Sequence, residues 1–408
     1  MEKFLVGGAV RDMMLGLEVN DRDYVVVGST TPEMRSQGFE QVGADFPVFL
    51  HPDTFEEYAL ARRERKTGEG YHGFETEFDS SVTLEEDLGR RDLTVNSMAW
   101  KETDTHKGTL VDPYNGAADL VDKVLRHTSD AFAEDPVRVL RLARFRARLG
   151  PEWTVAPETV ALVSMMAKKG TLNELTAERV WKELSRALME PHARLFFDTL
   201  LETDALHVVF PEVYKLKTAL EARRWHPEGD AFEHTMLVLT QAVEFGYDME
   251  TRVAALTHDF GKGVTPRDAL PKHYGHEVTG VPVVQEFCNR LTVPSRMRDR
   301  VMKTTRFHMH MHKLDKLNPK TFVKMFDEMN AWRDPSVVDL LVRLGECDDR
   351  GRLGSENADV THLQKLHEVF DRVTEVKFAD VFPKGETNGN KVKEGMKRAR
   401  VRAAATSE

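Results

Sequence analysis

Short β-rich runs of apolar residues fill the first third of this chain, and apolar residues at helical spacing fill the rest. FLVGG, DYVVVG, VFLH, EEYALA and TLVDP all fall before residue 125 and are separated by turn-forming Gly, Pro, Asp and Asn, so they read as strands mixed with a few helical stretches. From about residue 130 the strand signal fades. ERVWKELSRALM, ARLFFDTLLETDAL, FEHTMLVLTQAVEF and TRVAALTHDF each repeat apolar positions every three or four residues. The pattern predicts an α+β unit followed by a largely all-α remainder. Breaks near Pro211 and at Trp225-His226-Pro227 divide the helical part, and from Lys384 the sequence turns polar and basic, which predicts a loosely ordered end. The expected division is 1–125, 126–222, 223–380 and 381–408. No internal repeat or long low-complexity tract interrupts it.

Composition narrows the class. At 408 residues, 41% apolar and 30% charged, the chain reads as a globular, soluble protein of about two to four domains. Cys288 and Cys347 are too few for a disulfide framework, which points to a reducing cytoplasm. The segment MEKFLVGGAVRDMM lacks the apolar core of a leader, and no later stretch approaches the run needed to span a bilayer, so a membrane partner is not expected. The net charge of −10 argues against wholesale coating of nucleic acid. Two basic clusters stand out nonetheless, VRVLRLARFRARLG at 137–150 and KVKEGMKRARVRA at 391–403. In the first, Arg138, Arg141, Arg144 and Arg148 form one stripe beside Val139, Leu142, Phe145 and Leu149, which predicts an amphipathic helix with a cationic face. The plainer reading is an ordinary solvated surface.

The chemistry begins at NDRDYVVVG. Alternate residues of a strand share a face, so Asp21 and Asp23 point to one side at the start of an apolar strand. Two neighbouring carboxylates suit Mg²⁺, which takes hard oxygen ligands from one or two carboxylates together with substrate phosphates. Gly7 and Gly8, in LVGGAVRD just upstream, would let backbone N–H groups approach a triphosphate. An Asp-rich turn before a strand is the bland alternative. Glu57 lies on a further strand run and is a possible third carboxylate, outside the firm set.

Two more clusters fit nucleotide recognition. In RRDLTVNSMA, beside an apolar helix-like run, the paired arginines Arg90 and Arg91 suit phosphate and Asp92 could accept from a ribose hydroxyl; the competing role for Asp92 is an N-cap. In EDPVRVLR, Asp135 and Arg138 stand at i and i+3 and could present an acceptor and a donor fork to the Watson-Crick edge of cytosine or adenine. A simple ion pair at a helix start, with Pro136 in the first turn, explains the same spacing.

The order of LVGGAVRDMMLG, DRDYVVVG, RRDLTVNSMA, DPYNG and EDPVRVLRLARFRAR resembles that of class II tRNA nucleotidyltransferases, the CCA-adding enzymes, in the bacterial branch with a C-terminal HD domain. The resemblance covers nearly the whole chain up to about residue 380. It implies a palm-like nucleotidyltransferase head, then largely all-α neck, body and HD domain, adding C, C and A to the 3′ end of tRNA from CTP and ATP without a nucleic-acid template. By that similarity Asp21 and Asp23 would bind Mg²⁺, Gly8 and Arg11 the nucleotide, and Arg91, Arg138 and Arg141 the incoming CTP or ATP. Asp92 would hold the ribose, and Asp135 with Arg138 would serve as the protein template. Attack of the 3′-hydroxyl on the α-phosphorus would be assisted by two metal ions, with release of pyrophosphate. RRERKTGEGYHGFE at 62–75 suits a mobile loop over the site. The implied enzyme is a monomer or a homodimer.

The C-terminal half carries THDFGKG with His258 and Asp259, His226 and His234 upstream, His273 and His276 downstream, and Asp348 in ECDDRGR. Imidazole and carboxylate together suit a divalent transition metal, nickel among the candidates. This set resembles an HD phosphohydrolase, which implies phosphatase and 2′,3′-cyclic phosphodiesterase activity, with His258 and Asp259 as ligands and His234 and His276 as further candidates. The alternatives are histidines satisfied in a core, or a decayed metal site. His308, His310 and His312 in FHMHMH read equally as ligands or as a helix surface. Competing functions for the whole chain are a poly(A) polymerase, an enzyme adding only CC or only A, an HD phosphohydrolase whose N-terminal half binds RNA, and a non-catalytic tRNA-binding module.

Overall fold

The computed structural model describes residues 1–19, 21–42, 48–66, 74–101, 108–224, 226–383 and 385–405. Of the loop expected at 62–75, residues 67–73 lie outside the described residues, as does Trp225 of the expected helical break. The chain forms two compact units, Met1–Glu183 with Leu195–Val209, and Leu184–Arg194 with Phe210–Glu408.

The first unit is α+β. Its strands are β1 (Glu2–Val6), β2 (Asp23–Val27), β3 (Glu40–Val42), β4 (Val48–Leu50), β5 (Glu57–Leu60), β6 (Arg63–Lys66), β7 (Phe74–Glu77), β8 (Ala99–Lys101) and β9 (Thr109–Val111), with a short parallel pair, β10 (Val124–Leu125) and β11 (Thr154–Val155), further on. Seven of them form one sheet in the order β3-β4-β5-β2-β1-β8-β9, while β6 and β7 pair as a separate ribbon. β2 runs antiparallel to β1 and parallel to β5, placing Asp23 opposite Val6 on one side and Glu57 on the other. Alternation along these strands sends Phe4, Val6 and Val25 into a core with Ala61, Leu88 and Ala99. The rings of Tyr24 and Tyr58, partners in the β2–β5 register, stack at 4.4 Å.

Two expectations change here. The helix-like run after Arg91 is a single 3-10 turn, Thr94–Asn96, followed by β8. Local side-chain bonds compete with a helix: Asp92 Oδ1 accepts from the Leu93 N–H and from Asn96 Nδ2, and the Ser97 hydroxyl donates to the Leu93 carbonyl. The arginine stripe does form a helix, Val137–Leu149, but its cations are held by internal partners and not by solvent. Arg141 pairs with Asp92 at 2.7 Å, Arg144 with Glu183 at 2.7 Å and Arg148 with Asp12 at 2.9 Å, while Arg138 donates to the Ala131 carbonyl.

The second unit is all-α among the described residues, apart from one isolated bridge, Leu220 to Asp230. Phe307, Met311, Phe322, Phe326, Leu341, Leu366 and Phe370 supply its core. No described helix is long and apolar enough to cross a membrane. The expected loose end is instead a 17-residue helix, Gly389–Ala405. Val392, Met396, Ala399 and Ala403 recur at four, three and four residues among the lysines and arginines, and Ala399 and Ala404 are buried against the helices Pro319–Met329 and Gln364–Thr374.

Glycine fixes one close approach in this unit. A Cβ on Gly261 would lie 2.0 Å from the His276 carbonyl oxygen, and one on Gly280 would lie 3.1 Å from the Gly261 nitrogen. Only a residue without a side chain lets the turn after Asp259 touch the helix His276–Arg290.

Candidate functional site

In the first unit the Gly-Gly turn, the two aspartates and Arg91 meet at the end of the sheet. Gly7 adopts φ +69°, a left-handed conformation open to glycine, and starts the short helix Gly8–Met14 directly after β1. A Cβ on Gly7 would lie 2.9 Å from Arg91 Nη1, so the guanidinium covers the turn. Arg91 Nε is buried with no hydrogen-bond partner, and its Nη2 pairs with the buried Asp87 at 3.2 Å. Asp21 and Asp23 are exposed at the strand start, above the buried Tyr24, Val25 and Val26. Partial burial lifts the pKa of Asp23 above the usual carboxylate value against the pull of Arg91, and the Asp21 carboxylate lifts it further. Glu57 is also exposed and stands in register beside Asp23 on β5. Asp21, Asp23 and Glu57 each offer hard oxygen donors, the chemistry Mg²⁺ takes and soft metals do not.

Other residues singled out in the sequence lie deeper. Arg11 is 2% exposed, held by Asp12 and by Asn96 Oδ1 at 2.6 Å, and burial depresses its pKa. Asp92 is 6% exposed and its carboxylate is fully engaged by Arg141, Asn96 and the Leu93 N–H. Burial alone would raise its pKa, but Arg141 and these hydrogen bonds outweigh it and keep the group ionised. Gly8 touches the Arg11 guanidinium, with 3.5 Å from its Cβ position to Nη2. Arg11, Asn96, Asp92 and Arg141 thus form a buried bracket behind the turn, and a ribose contact at Asp92 would have to share it.

Asp135 caps the arginine-rich helix, its Oδ1 accepting from the Val137 N–H at 3.1 Å, and its Oδ2 pairs with Arg179 at 2.7 Å. Arg138 begins the first turn beside it, 9% exposed. Arg179, Glu183 and Asp87 are contributors that the sequence reading missed. ERVWKE carries Arg179 and Glu183 at i and i+4, a spacing that marks only an ordinary helix face.

In the second unit His234, His258, Asp259, His276, His308 and Asp348 converge, all at most 5% exposed. Nε2 of His258 lies 3.2 Å and Nε2 of His276 3.1 Å from Asp259, while Nε2 of His234 is 3.2 Å from Asp348. Three of the four rings are held from behind. Nδ1 of His258, His276 and His308 bonds the carbonyl of Ala255, His273 and Thr305, and Nδ1 of His234 faces Glu228 at 3.2 Å. A carbonyl can only accept, so Nδ1 carries the hydrogen and Nε2 of the neutral ring turns a lone pair inward. His276 Nε2 and His308 Nε2 are 3.1 Å apart, with Asp259 Oδ1 at 3.1 and 3.5 Å, an acceptor cluster that asks for a proton or a cation among them. His258 Nε2 and both Asp259 oxygens are buried and make no well-aligned hydrogen bond, although Lys262 Nζ lies 2.6 Å from Asp259 Oδ2. His234, His258 and Asp259 form one triad with ligand-like spacing, and Asp259, His276 and His308 form a second. The donor set fits a divalent transition metal. Lys262, buried between Asp259 and Glu221, offsets part of the negative charge, and the carboxylate of Asp259 is held well below its usual pKa despite burial.

The FHMHMH run divides by helical position. His308 faces Asp259, and His312, one turn on, sits between Asp348 at 3.0 Å and Asp349 at 2.8 Å. His310 packs on Phe307. His226 lies between Glu221 and Glu228, and His273 bonds the Leu220 carbonyl and Thr265. Burial opposes charging the His312 ring, yet the two carboxylates raise its pKa from 6.5 to about 9. A raised cationic pKa stabilises fully below pH 6.5 and fades as the pH climbs through 9, a contribution of about 3 kcal/mol. In denaturant titrations of metal-free protein, the wild type should lose about that much more stability than His312→Gln between pH 6 and pH 9.5. Equal losses in the two proteins would remove the charge assignment.

Residues 3–126 match the family model of the poly A polymerase head domain, 153–216 that of the probable RNA and SrmB-binding site of polymerase A, and 231–343 that of the HD domain. The head-domain and HD-domain matches thus fall on separate parts of one chain, the first on the α+β unit and the second on the all-α unit. Solved structures agree in fold. The chain is 20% identical to the Bacillus stearothermophilus CCA-adding enzyme in complex with CTP, with a TM-score of 0.65 over 98% of this chain and 88% of that one. An apo form of a CCA-adding enzyme aligns at 19% identity and a TM-score of 0.68, over 100% of this chain and 89% of that one. A CCA-adding enzyme with ATP gives 17% and 0.65, over 100% and 87%. The resemblance carried by the sequence motifs therefore holds in domain content and in fold.

Proposed function

We propose that the chain adds CCA to the 3′ end of tRNA from CTP and ATP, and that its HD unit hydrolyses phosphate esters. The single observation that carries the first part is the strand register, which sets Asp23 between Glu57 and Val6, next to the Gly7–Gly8 turn that Arg91 Nη1 covers. A match to an RNA-binding segment and solved relatives bound to CTP and to ATP support the substrate choice.

In this reading Asp21 and Asp23, with Glu57 as a third oxygen donor, hold Mg²⁺. When bound, the ions supply Lewis acidity to the attacking 3′-hydroxyl and to the departing pyrophosphate. The backbone of the Gly7–Gly8 turn and Arg91 seat the triphosphate, and the buried bracket of Arg11, Asn96, Asp92 and Arg141 keeps that turn in place. Asp135, aimed by Arg179, and Arg138 present the acceptor and donor that select cytosine and adenine. At the second unit His234, His258, Asp259 and Asp348 hold a divalent transition metal, with His276 and His308 able to join. Its substrate class is a phosphomonoester or a 2′,3′-cyclic phosphate. The protein works in the cytoplasm, as a monomer or a homodimer.

Incubation of purified protein with tRNA lacking its 3′ end, Mg²⁺ and all four labelled nucleotides should yield C, C and A in that order, read by sequencing the product. A run of adenosines would select the poly(A) polymerase reading instead. Asp135→Ala and Arg138→Ala should each relax the preference for CTP over GTP and UTP by about 1–3 kcal/mol, the value of a good bidentate base contact. An unchanged preference would remove both residues from the template role.

A further inference from the structure

Asp87 is given no substrate group in the reading above, yet it joins two arms of the first unit's site. It lies on the helix Leu84–Gly89, which Thr83 and Glu86 cap reciprocally. The residue is fully buried and both of its oxygens are taken. Oδ1 accepts from Arg90 Nη2 at 2.8 Å, from Arg90 Nε at 3.1 Å and from the Arg62 backbone N–H at 3.3 Å, while Oδ2 accepts from Arg91 Nη2 at 3.2 Å. Burial opposes ionisation, but Arg90 and Arg91 outweigh it and hold the carboxyl below its usual pKa.

These partners lead in different directions. The Ala61 N–H donates to the Val26 carbonyl at 2.9 Å, so the chain leaving β5 is still laddered to β2 one residue before Asp87 takes hold of it. That strand pair carries Asp23 and Glu57 and keeps its own register without Asp87. Arg91 reaches the other way, to the Gly7 turn, where its Nη1 lies 2.9 Å from the position of a Gly7 Cβ. It is also near enough to Asp23 to pull that carboxyl's pKa down. A guanidinium is a rigid planar fork, so fixing Nη2 on Asp87 fixes where Nη1 points. An Asn at this position would turn one acceptor into an amide donor aimed at an arginine.

We infer that Asp87 is a positioning residue: anchored to the end of β5, it registers Arg91 against the carboxylates of β2 and β5 and acts on the incoming nucleotide through Arg91. The inference rests on the nucleotide-transfer reading above. CTP and ATP share the triphosphate, so loss of this register weakens both alike and leaves the choice of base to Asp135 and Arg138.

The test is a double-mutant cycle on the full chain, with wild type, Asp87→Asn, Arg91→Ala and the double variant titrated with CTP and with ATP in Mg²⁺ by calorimetry. Asp87→Asn should bind both nucleotides about tenfold or more weakly, the size of one hydrogen bond to a charged group. The double variant should bind no more weakly than Arg91→Ala alone, because the two substitutions break the same link, whereas a general loosening of the fold would add its cost in either background. In nucleotide-addition assays the rise in KM for CTP and ATP should exceed any fall in kcat. Should Asp87→Asn fail to fold, Asp87→Glu, which keeps the charge and moves both oxygens out by one methylene, should show the same loss and the same non-additivity. Unchanged nucleotide affinity overturns the inference, and so do losses that add up in the double variant. If wild type binds nucleotide with this coupling but extends no tRNA, the transfer reading falls and the positioning role stands; if wild type binds neither nucleotide, both fall.

Discussion

Asp23→Ala should lower nucleotide addition to truncated tRNA by about 10³-fold or more, at least the cost of deleting one preorganised charge-stabilising group from an active site. Asp21→Ala should do the same. The expected loss is catalytic and not structural, because both carboxylates are exposed while the strand behind them is anchored by buried Tyr24, Val25 and Val26. Thermal unfolding should therefore be little changed, and hydrolysis of a 2′,3′-cyclic nucleotide by the second unit should continue at the wild-type rate. Addition that persists in both variants would refute the assignment of metal to this pair.

The second large effect is expected at Asp259. Its carboxylate is approached by His234, His258, His276, His308 and Lys262, so Asp259→Ala removes a shared member of both triads. Bound divalent metal, measured by elemental analysis, should fall at least about 100-fold in affinity, the upper end of what loss of a supporting partner alone costs. Cyclic-phosphate hydrolysis should vanish with it while CCA addition survives. Stability should fall too. Lys262 keeps Glu221, yet stripping one partner from a buried charge cluster costs about 3–5 kcal/mol. Native metal content in the variant would show that the ion is held elsewhere.

Much of this was readable from the residues themselves. Strands such as FLVGG and DYVVVG are locally specified, although β2 begins only at Asp23 and leaves Asp21 just before it, outside the alternation expected to set a shared face. Long-range pairing was not readable. The partners of Arg141, Arg144 and Arg148 lie 49, 39 and 136 residues away in sequence, so nothing local distinguishes an arginine facing solvent from one facing Asp92, Glu183 or Asp12. The run FHMHMH was ambiguous because its alternating imidazoles read equally as ligands or as a helix surface. Once the segment is helical, positions four apart share a side, which sends His308 and His312 inward together and separates His310. The C-terminal helix was hidden by its charge, since its anchoring residues are mostly alanines, which bury little area and leave a weak apolar signal.

The Tyr24–Tyr58 stack deserves a genetic interpretation. A slide of β5 by one residue against β2 would turn Glu57 to the opposite side of the sheet and strand Tyr58 in solvent. The aromatic pair therefore acts as a ratchet tooth for the carboxylates on the two strands, and loss of catalysis through Tyr58→Ala in protein that remains folded, with every charged group still present, would be a failure of alignment.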